Sequence, residues 1–154
     1  MDHAGAKTVA ETVGAQFHAV HHQIREQVSA LDRAALNWKP HPEANSIAVL
    51  VVHTLGSERE MLLAIRGMPS DRKRTAEFEV TAAAADLIAL LELADLDVDE
   101  HISALTVEDL TAMRPRGDRP PRPGLEWLIR NYGHAREHLA QIELTKQLYG
   151  ASAG

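Results

Sequence analysis

The chain has 154 residues, of which 25% are charged, with no cysteine and a formal net charge of −6. The absence of cysteine excludes disulfides and leaves nitrogen and oxygen as the ligands of any metal site. The acidic balance argues against a nucleic-acid-binding surface, which needs clustered Lys and Arg. Because no basic and apolar leader and no membrane-length apolar run is found, we expect a cytoplasmic protein without membrane contact.

The length predicts a single domain over 1–154, with flexible tails at 1–6 and 150–154. Apolar residues at three- and four-residue steps predict a first amphipathic helix over about 8–31, and Thr8 to Glu11 fits a capping box at its start. The next segment, NWKPHPEANS, carries two prolines and ends in a capping pair, which predicts a loop.

A second helix is predicted from Ile47 to about Arg66, apolar around most of its circumference and ended by Gly67. The linker GMPSDRKRTAEFEV can reach roughly 45 Å when extended, so the helices that it joins can be parallel or antiparallel. The third helix is predicted over about 81–104, although LADLDVDE within it alternates apolar and acidic residues as a strand would.

After a turn around TVEDL, the segment MRPRGDRPPRPG contains four prolines and two glycines, and we expect an irregular loop. The fourth helix is predicted to begin near Leu125. Phe, Trp and Tyr together number only six, so aliphatic packing dominates the core. Four amphipathic helices bury their apolar faces most simply in an all-α four-helix bundle, without an internal repeat.

The fourth helix carries His134 and His138 four residues apart, which places both imidazoles on one face, close enough to share a metal ion. Two surface histidines without a role would show the same spacing, so a third ligand is needed. His53 lies in the apolar stretch IAVLVVHTLGSE, where a polar ring is costly unless it is paired or ligated. A single hydrogen bond to a backbone carbonyl would also satisfy it.

The remaining histidines are weaker candidates. The segment HAVHH offers a competing pair of histidines four residues apart, and we interpret its three rings as mainly surface or pocket-lining. The other three histidines lie in a tail, a proline loop and an acidic helix end, where nothing supports a role. These six are His18, His21 and His22, and His3, His41 and His101.

Three passages carry a family resemblance: LNWKPHPEANSIAVLVVHTLGSERE, LTVEDL and LIRNYGHAREHLAQIELTKQLYG. In this order and spacing they resemble the DinB-like proteins, the metal-binding four-helix bundles of the DinB/YfiT-like superfamily. The resemblance implies a metal triad of His53, His134 and His138. Three neutral imidazoles leave an open coordination position, with zinc or nickel the favoured ion and iron or manganese as alternatives.

The resemblance also implies thiol chemistry, since characterised relatives include transferases and isomerases that use bacillithiol, mycothiol or glutathione. Our leading hypothesis is transfer of such a thiol to an electrophilic substrate, with the metal stabilising the thiolate. Glu58, one turn beyond His53, is a candidate for contacting a ligand or handling a proton. The alternative is a non-catalytic, stress-related metal-binding or dimerisation module, and relatives suggest a homodimer.

The last helix also matches a rival metal-binding motif. The letters from His134 to His138 spell H-x-x-E-H, the signature of inverted zinc peptidases, in which Glu137 would be the base. Those enzymes are larger and need a glutamate ligand.

The loop 114–123 is basic and is either solvated or helps hold an anionic thiol. Its positive charge comes from Arg114, Arg116, Arg119 and Arg122. Glu92, Asp95 and Asp99 recur at helical steps, and we expect them on an exposed face of the third helix. We expect Trp38 at one end of the bundle, and Trp127 either in a pocket wall or in ordinary packing.

Overall fold

The structure is a computed structural model that describes residues 1–152. Over this range the chain forms seven helices and one pair of short strands. In chain order they are α1 (His3–Val28), α2 (Arg33–Asn37), α3 (Ile47–Ile65), α4 (Arg74–Glu77), α5 (Ala84–Ser103), α6 (Val107–Thr111), β1 (Met113–Arg116), β2 (Arg119–Pro123) and α7 (Gly124–Ser152).

The four long helices α1, α3, α5 and α7 pack around one core, so the predicted all-α bundle is confirmed. Its core is mostly aliphatic, as the composition predicted, with Phe17 fully buried among leucine, isoleucine and valine side chains. Trp38 packs edge-to-face on Tyr149, with ring centroids 5.6 Å apart, near the end of α7. Within residues 1–152, none of the helices has the length and apolar character needed to cross a membrane.

Side-chain pairs fix the helix directions that the sequence left open. Along α3 and α5 the partners ascend together, since Arg59 binds Asp97 and Arg66 binds His101. These two helices are therefore parallel, and the linker between them crosses the length of the bundle. Helix α7 runs antiparallel to α3, because the contacting residues on α7 descend as those on α3 ascend. His53 lies against His138, and Ser57 accepts a hydrogen bond from Asn131. Leu50 and Thr145 line the same cavity further along the pair.

The first helix begins earlier than predicted. Asp2 accepts a hydrogen bond from the Gly5 amide (2.8 Å), which caps α1, and Ala6 is already buried. Thr8 lies inside the helix and donates to the Ala4 carbonyl, so it does not cap the helix. At the other end of the chain, residues 150–152 continue α7, and the rest of the predicted tail, 153–154, lies outside the described residues.

The predicted irregular loop before the last helix is wrong, because MRPRGDRPPRPG forms an antiparallel hairpin of β1 and β2. Arg116 pairs with Arg119 across a two-residue turn, in which Gly117 adopts φ +60°. A two-stranded ribbon consists only of edge strands, and prolines are tolerated at edges because their missing N–H removes no ladder bond. Proline content therefore did not exclude strands here.

The other boundaries agree closely with the prediction. Ser46 caps α3 by accepting from the Val49 amide (3.2 Å), and Gly67 ends it with φ +67°. The segment LADLDVDE is helical within α5, as predicted. The connecting segments hold more structure than expected, since the short helices α2, α4 and α6 lie within them.

Candidate metal centre

The antiparallel packing of α3 and α7 brings three histidines together. The ring centroid of His53 lies 5.2 Å from those of both His134 and His138, which are 4.3 Å from each other. One ring nitrogen of each histidine lies within 4.8 Å of the other two. The structure therefore assembles the three residues that the resemblance implied as one group able to hold a metal ion.

Two of the rings are oriented from behind by a side-chain oxygen. His53 Nδ1 lies 2.9 Å from Glu77 Oε2, and His138 Nδ1 lies 2.8 Å from Gln141 Oε1. These contacts leave Nε2 of each ring as its ligand atom, and His138 Nε2 faces His134 Nε2 at 3.0 Å. Metal-binding histidines commonly have their second nitrogen held in this way, because the contact fixes the tautomer and the ring direction.

Burial favours the neutral form of His53 and His134, which is the form that binds a metal. Burial, reinforced by the neighbouring His138 and His53, lowers the pKa of His134 to about 3. Burial also lowers the pKa of His53, although Glu77 opposes that shift. A neutral imidazole has a lone pair to donate, whereas an imidazolium does not. His134 Nδ1 is buried without a hydrogen-bond partner in the described part of the chain. The donor set thus fits a nitrogen-preferring divalent ion such as zinc or nickel.

Glu77 is held in place from the linker between α3 and α5. Arg72 donates to both of its carboxylate oxygens, at 2.7 and 2.9 Å. A Cβ atom at Gly56 would overlap the Glu77 carboxylate and approach Arg72 Nε to 3.3 Å, so the glycine leaves room for this pair beside α3. The sequence did not indicate Glu77 or Arg72, because the linker has no periodicity and the pairing depends on where it crosses the bundle.

Glu58 does not occupy the position expected from its spacing. Its carboxylate is buried and lies 3.0 Å from His21 Nε2 on α1, and no contact joins it to the three-histidine group. The interpretation of His21 as a surface or pocket-lining residue is wrong, since the ring is fully buried, with its Nδ1 2.7 Å from Asp95. Asp95 was expected on an exposed face, but it is partly buried by His18, His21 and Arg25.

This second cluster is a closed network of ion pairs. Burial would lower the pKa of His21, but Glu58 and Asp95 outweigh it and raise that pKa. Burial raises the pKa of Glu58. Although His18, His21 and Asp95 are close enough together to hold an ion, each ring nitrogen already faces a carboxylate, and Arg25 binds the other Asp95 oxygen. The cluster thus satisfies itself.

The other histidines lie away from the candidate centre. His22 is exposed beside Glu26, and His3 and His41 are exposed. His101 is buried and accepts a hydrogen bond from Arg66 (2.8 Å), a structural contact that its position in an acidic helix end did not suggest. Glu137 is exposed, as the bundle prediction required. The partner that the structure gives to His134 and His138 is therefore His53, which favours the three-histidine site over the peptidase motif.

A cavity of about 330 Å³ opens beside the histidines, and both His53 and His134 line it. The β1–β2 hairpin forms one wall, where Arg116 is buried and donates to the Ser57 carbonyl and hydroxyl at 2.7 and 2.8 Å. Burial lowers the pKa of Arg116 to about 10. The sequence left open whether Trp127 forms a pocket wall or packs in the core. It does both, since it is 4% exposed and lines the cavity.

Comparison with known proteins agrees with the fold. The model of the DinB superfamily matches residues 16–142. A conserved protein of Enterococcus faecalis superposes with a TM-score of 0.75 at 17% identity, covering 90% of this chain and 95% of that one. A DinB-like protein from Bacillus cereus ATCC 10987 superposes with a TM-score of 0.70 at 17% identity, covering 85% and 86%. No curated protein sequence matches significantly.

Proposed function

The chain belongs to the DinB superfamily, and from that premise we propose that it binds one divalent metal ion through His53, His134 and His138. The observation that carries this proposal is the convergence of three ring nitrogens within 4.8 Å, with Glu77 and Gln141 supporting two of the rings. Zinc or nickel suits the three imidazoles best, and iron or manganese are the alternatives.

We propose that a bound metal would support a transfer reaction with a low-molecular-weight thiol of the bacillithiol, mycothiol or glutathione type. In this reaction the thiol sulfur forms a bond to the electrophilic atom of a substrate, the leaving group of the substrate departs with its bonding electrons, and the thiol proton passes to solvent. A divalent ion with three histidine ligands keeps an open position and lowers the pKa of a thiol that occupies it. Because the chain has no cysteine, the thiol comes from a cosubstrate. The cavity lined by His53 and His134 supports a catalytic role, since it offers a small molecule a concave site beside two of the histidines.

Metal binding is tested by elemental analysis of protein purified without an affinity tag and incubated with zinc or nickel. We expect one metal ion per chain in the wild type, and loss of that metal in His53→Ala and in the double variant His134→Ala/His138→Ala. His22→Ala is the matched control, since His22 is an exposed histidine outside the group. A wild-type protein that holds no stoichiometric metal after this incubation would overturn the proposal.

Catalysis is tested by titrating each thiol into the metal-loaded protein and then adding a general electrophile such as a chloro-dinitrobenzene. We expect saturable thiol binding and product formation that both disappear in His134→Ala/His138→Ala. If metal binds but no thiol binds and no conjugate forms, the non-catalytic stress-related module is the better description.

We also propose a cytoplasmic homodimer. The support for a dimer is a row of exposed leucines on α5, of which Leu93 and Leu96 are 59% and 64% exposed. Together with apolar residues of α3 they border an apolar groove of about 540 Å³. Exposed apolar surface of this kind is typical of association sites. The cytoplasmic location and the absence of nucleic-acid and membrane partners stay predictions from composition.

A further inference from the structure

The cavity beside the three histidines is unusually rich in arginine. Six guanidinium groups line it, and no carboxylate does so among residues 1–152. They come from three separate parts of the chain: Arg72 and Arg74 from the linker, Arg116, Arg119 and Arg122 from the hairpin, and Arg130 from α7. In a chain of net charge −6, this concentration of positive charge is local to one site.

Neighbouring carboxylates neutralise only part of this charge. Glu60 is shared between Arg72 and Arg116, Glu77 binds Arg72, and Glu126 is shared between Arg122 and Arg130. Arg74 and Arg119 have no carboxylate partner in the part of the chain that the structure describes. Like charges gathered around one cavity raise its electrostatic free energy, and a bound anion would lower it.

Two arginines of the hairpin, Arg116 and Arg122, contact one aromatic ring. The guanidinium carbons of Arg116 and Arg122 lie 5.6 and 5.7 Å from the centre of the Trp127 ring. The ring is itself fixed, because its Nε1 donates to the Arg114 carbonyl (2.8 Å). Such cation–π contacts orient planar guanidinium groups, which then present paired donors that match a carboxylate or phosphate.

We propose that this arginine-lined cavity binds the carboxylate or phosphate group of an anionic small molecule beside His53 and His134. The identity of that molecule as substrate or thiol cosubstrate rests on the proposed function, whereas the anion site itself does not require a metal. Arg74 and Arg119 are assigned the main contacts, because their donors are not already committed to carboxylates. The volume of about 330 Å³ suits a small molecule and not a polymer.

The test is calorimetric titration of metal-free full-length protein with inorganic phosphate and, separately, with succinate. Metal-free protein is used because an anion can otherwise bind an ion directly. We expect saturable binding that weakens about tenfold in Arg74→Gln/Arg119→Gln, since two charged partners of the anion are lost and the exposure of both arginines reduces the contribution of each. Arg136→Gln is the matched control, because Arg136 lies on α7, is exposed and binds only Gln23.

The outcomes separate this inference from the proposed function. Binding of either anion that weakens about tenfold or more in the double variant and is kept in Arg136→Gln supports the anion site, even if the histidines bind no metal. The tighter probe then assigns carboxylate or phosphate chemistry. If neither anion binds, or if both bind the double variant as tightly as the wild type, the anion site is overturned, even if the metal is present.

Discussion

At the scale of single residues, the contact between Glu77 and His53 separates the candidate centre from a chance group of histidines. The Glu77 carboxylate is buried and accepts hydrogen bonds from Arg72. It contacts Nδ1 of His53, the ring nitrogen opposite the one available to a metal. A carboxylate in this position makes the imidazole a better donor and fixes its orientation.

Replacing Glu77 by Gln should therefore weaken metal binding by about 10- to 100-fold, since outer contacts of this type typically have that effect. The measurement is competition of zinc between the protein and a chromophoric chelator. Glu79→Gln is the matched control, because Glu79 is exposed in the same linker. Equal affinities of the two variants would show that Glu77 does not support the site.

The buried His21 gives a prediction about pH. Its pKa is raised by Glu58 and Asp95, so the folded protein binds the proton more tightly than the unfolded chain does. The resulting stabilisation is fully present below the unfolded pKa of about 6.5, and it is lost as the pH rises through the higher folded value.

His21→Gln should then lower the free energy of unfolding by about 2 kcal/mol at pH 6 and by less at pH 9, because hydrogen bonds to a charged partner are lost. Urea unfolding of the metal-free proteins measures this difference. The exposed His22, changed to Gln, serves as control. A wild-type-minus-variant difference that stays constant between the two pH values would contradict the assignment.

At the scale of elements, two of the helical glycines, Gly56 and Gly133, have opposite surroundings. A Cβ at Gly56 would overlap the Glu77 carboxylate, whereas nothing lies within 4 Å of one at Gly133. In a helix interior alanine is normally favoured over glycine by about 1 kcal/mol. That benefit is available only where the added methyl group has space.

Gly133→Ala should accordingly stabilise the protein by up to about 1 kcal/mol. Gly56→Ala should destabilise it, because the added methyl group displaces the buried Glu77 carboxylate and disturbs its contacts with Arg72 and His53. Thermal unfolding of the metal-free variants gives both signs in one experiment, and zinc affinity should fall in Gly56→Ala. If both variants stabilised the protein equally, Glu77 would not be confined as the structure indicates.

The long helices could be predicted from sequence because the apolar periodicity of each is set by its own burial. The hairpin could not, since β1 and β2 are four and five residues long and contain prolines that are tolerated only because both strands are edges. Likewise His134 and His138 follow from spacing within one helix. His53 required the family resemblance, and Glu77 required the path of the linker, which no local pattern encodes.

At the scale of the whole molecule, the order and direction of the helices determine which residues become neighbours, which the spacing within one helix does not show. Parallel α3 and α5 require a long crossing connection, and the same crossing carries Arg72 and Glu77 to the candidate centre. Glu58 follows His53 by five residues and so lies about 140° around α3, where it faces His21 of α1 and not the three histidines. A residue's position on its own helix was predictable, but its partner was decided by the packing of the helices.

The exposed leucines of α5 predict association. We expect the wild type to elute as a dimer in size-exclusion chromatography with light scattering, and Leu93→Glu/Leu96→Glu to be monomeric, since buried unpaired carboxylates would oppose the contact. Ile129→Glu, at a 55% exposed position on α7, is the control and should stay dimeric. A double variant that remains dimeric would place the contact elsewhere.

The antiparallel pairing of α3 and α7 has a kinetic consequence. His53 and the two histidines of α7 lie on helices that are far apart in the chain, so we expect the complete ligand group to form late in folding. A metal held there would stabilise the native state more than the transition state, leaving the refolding rate unchanged and slowing unfolding. Stopped-flow measurements with and without zinc would show this, and the lifetime of the folded chain would then follow the metal supply of the cell.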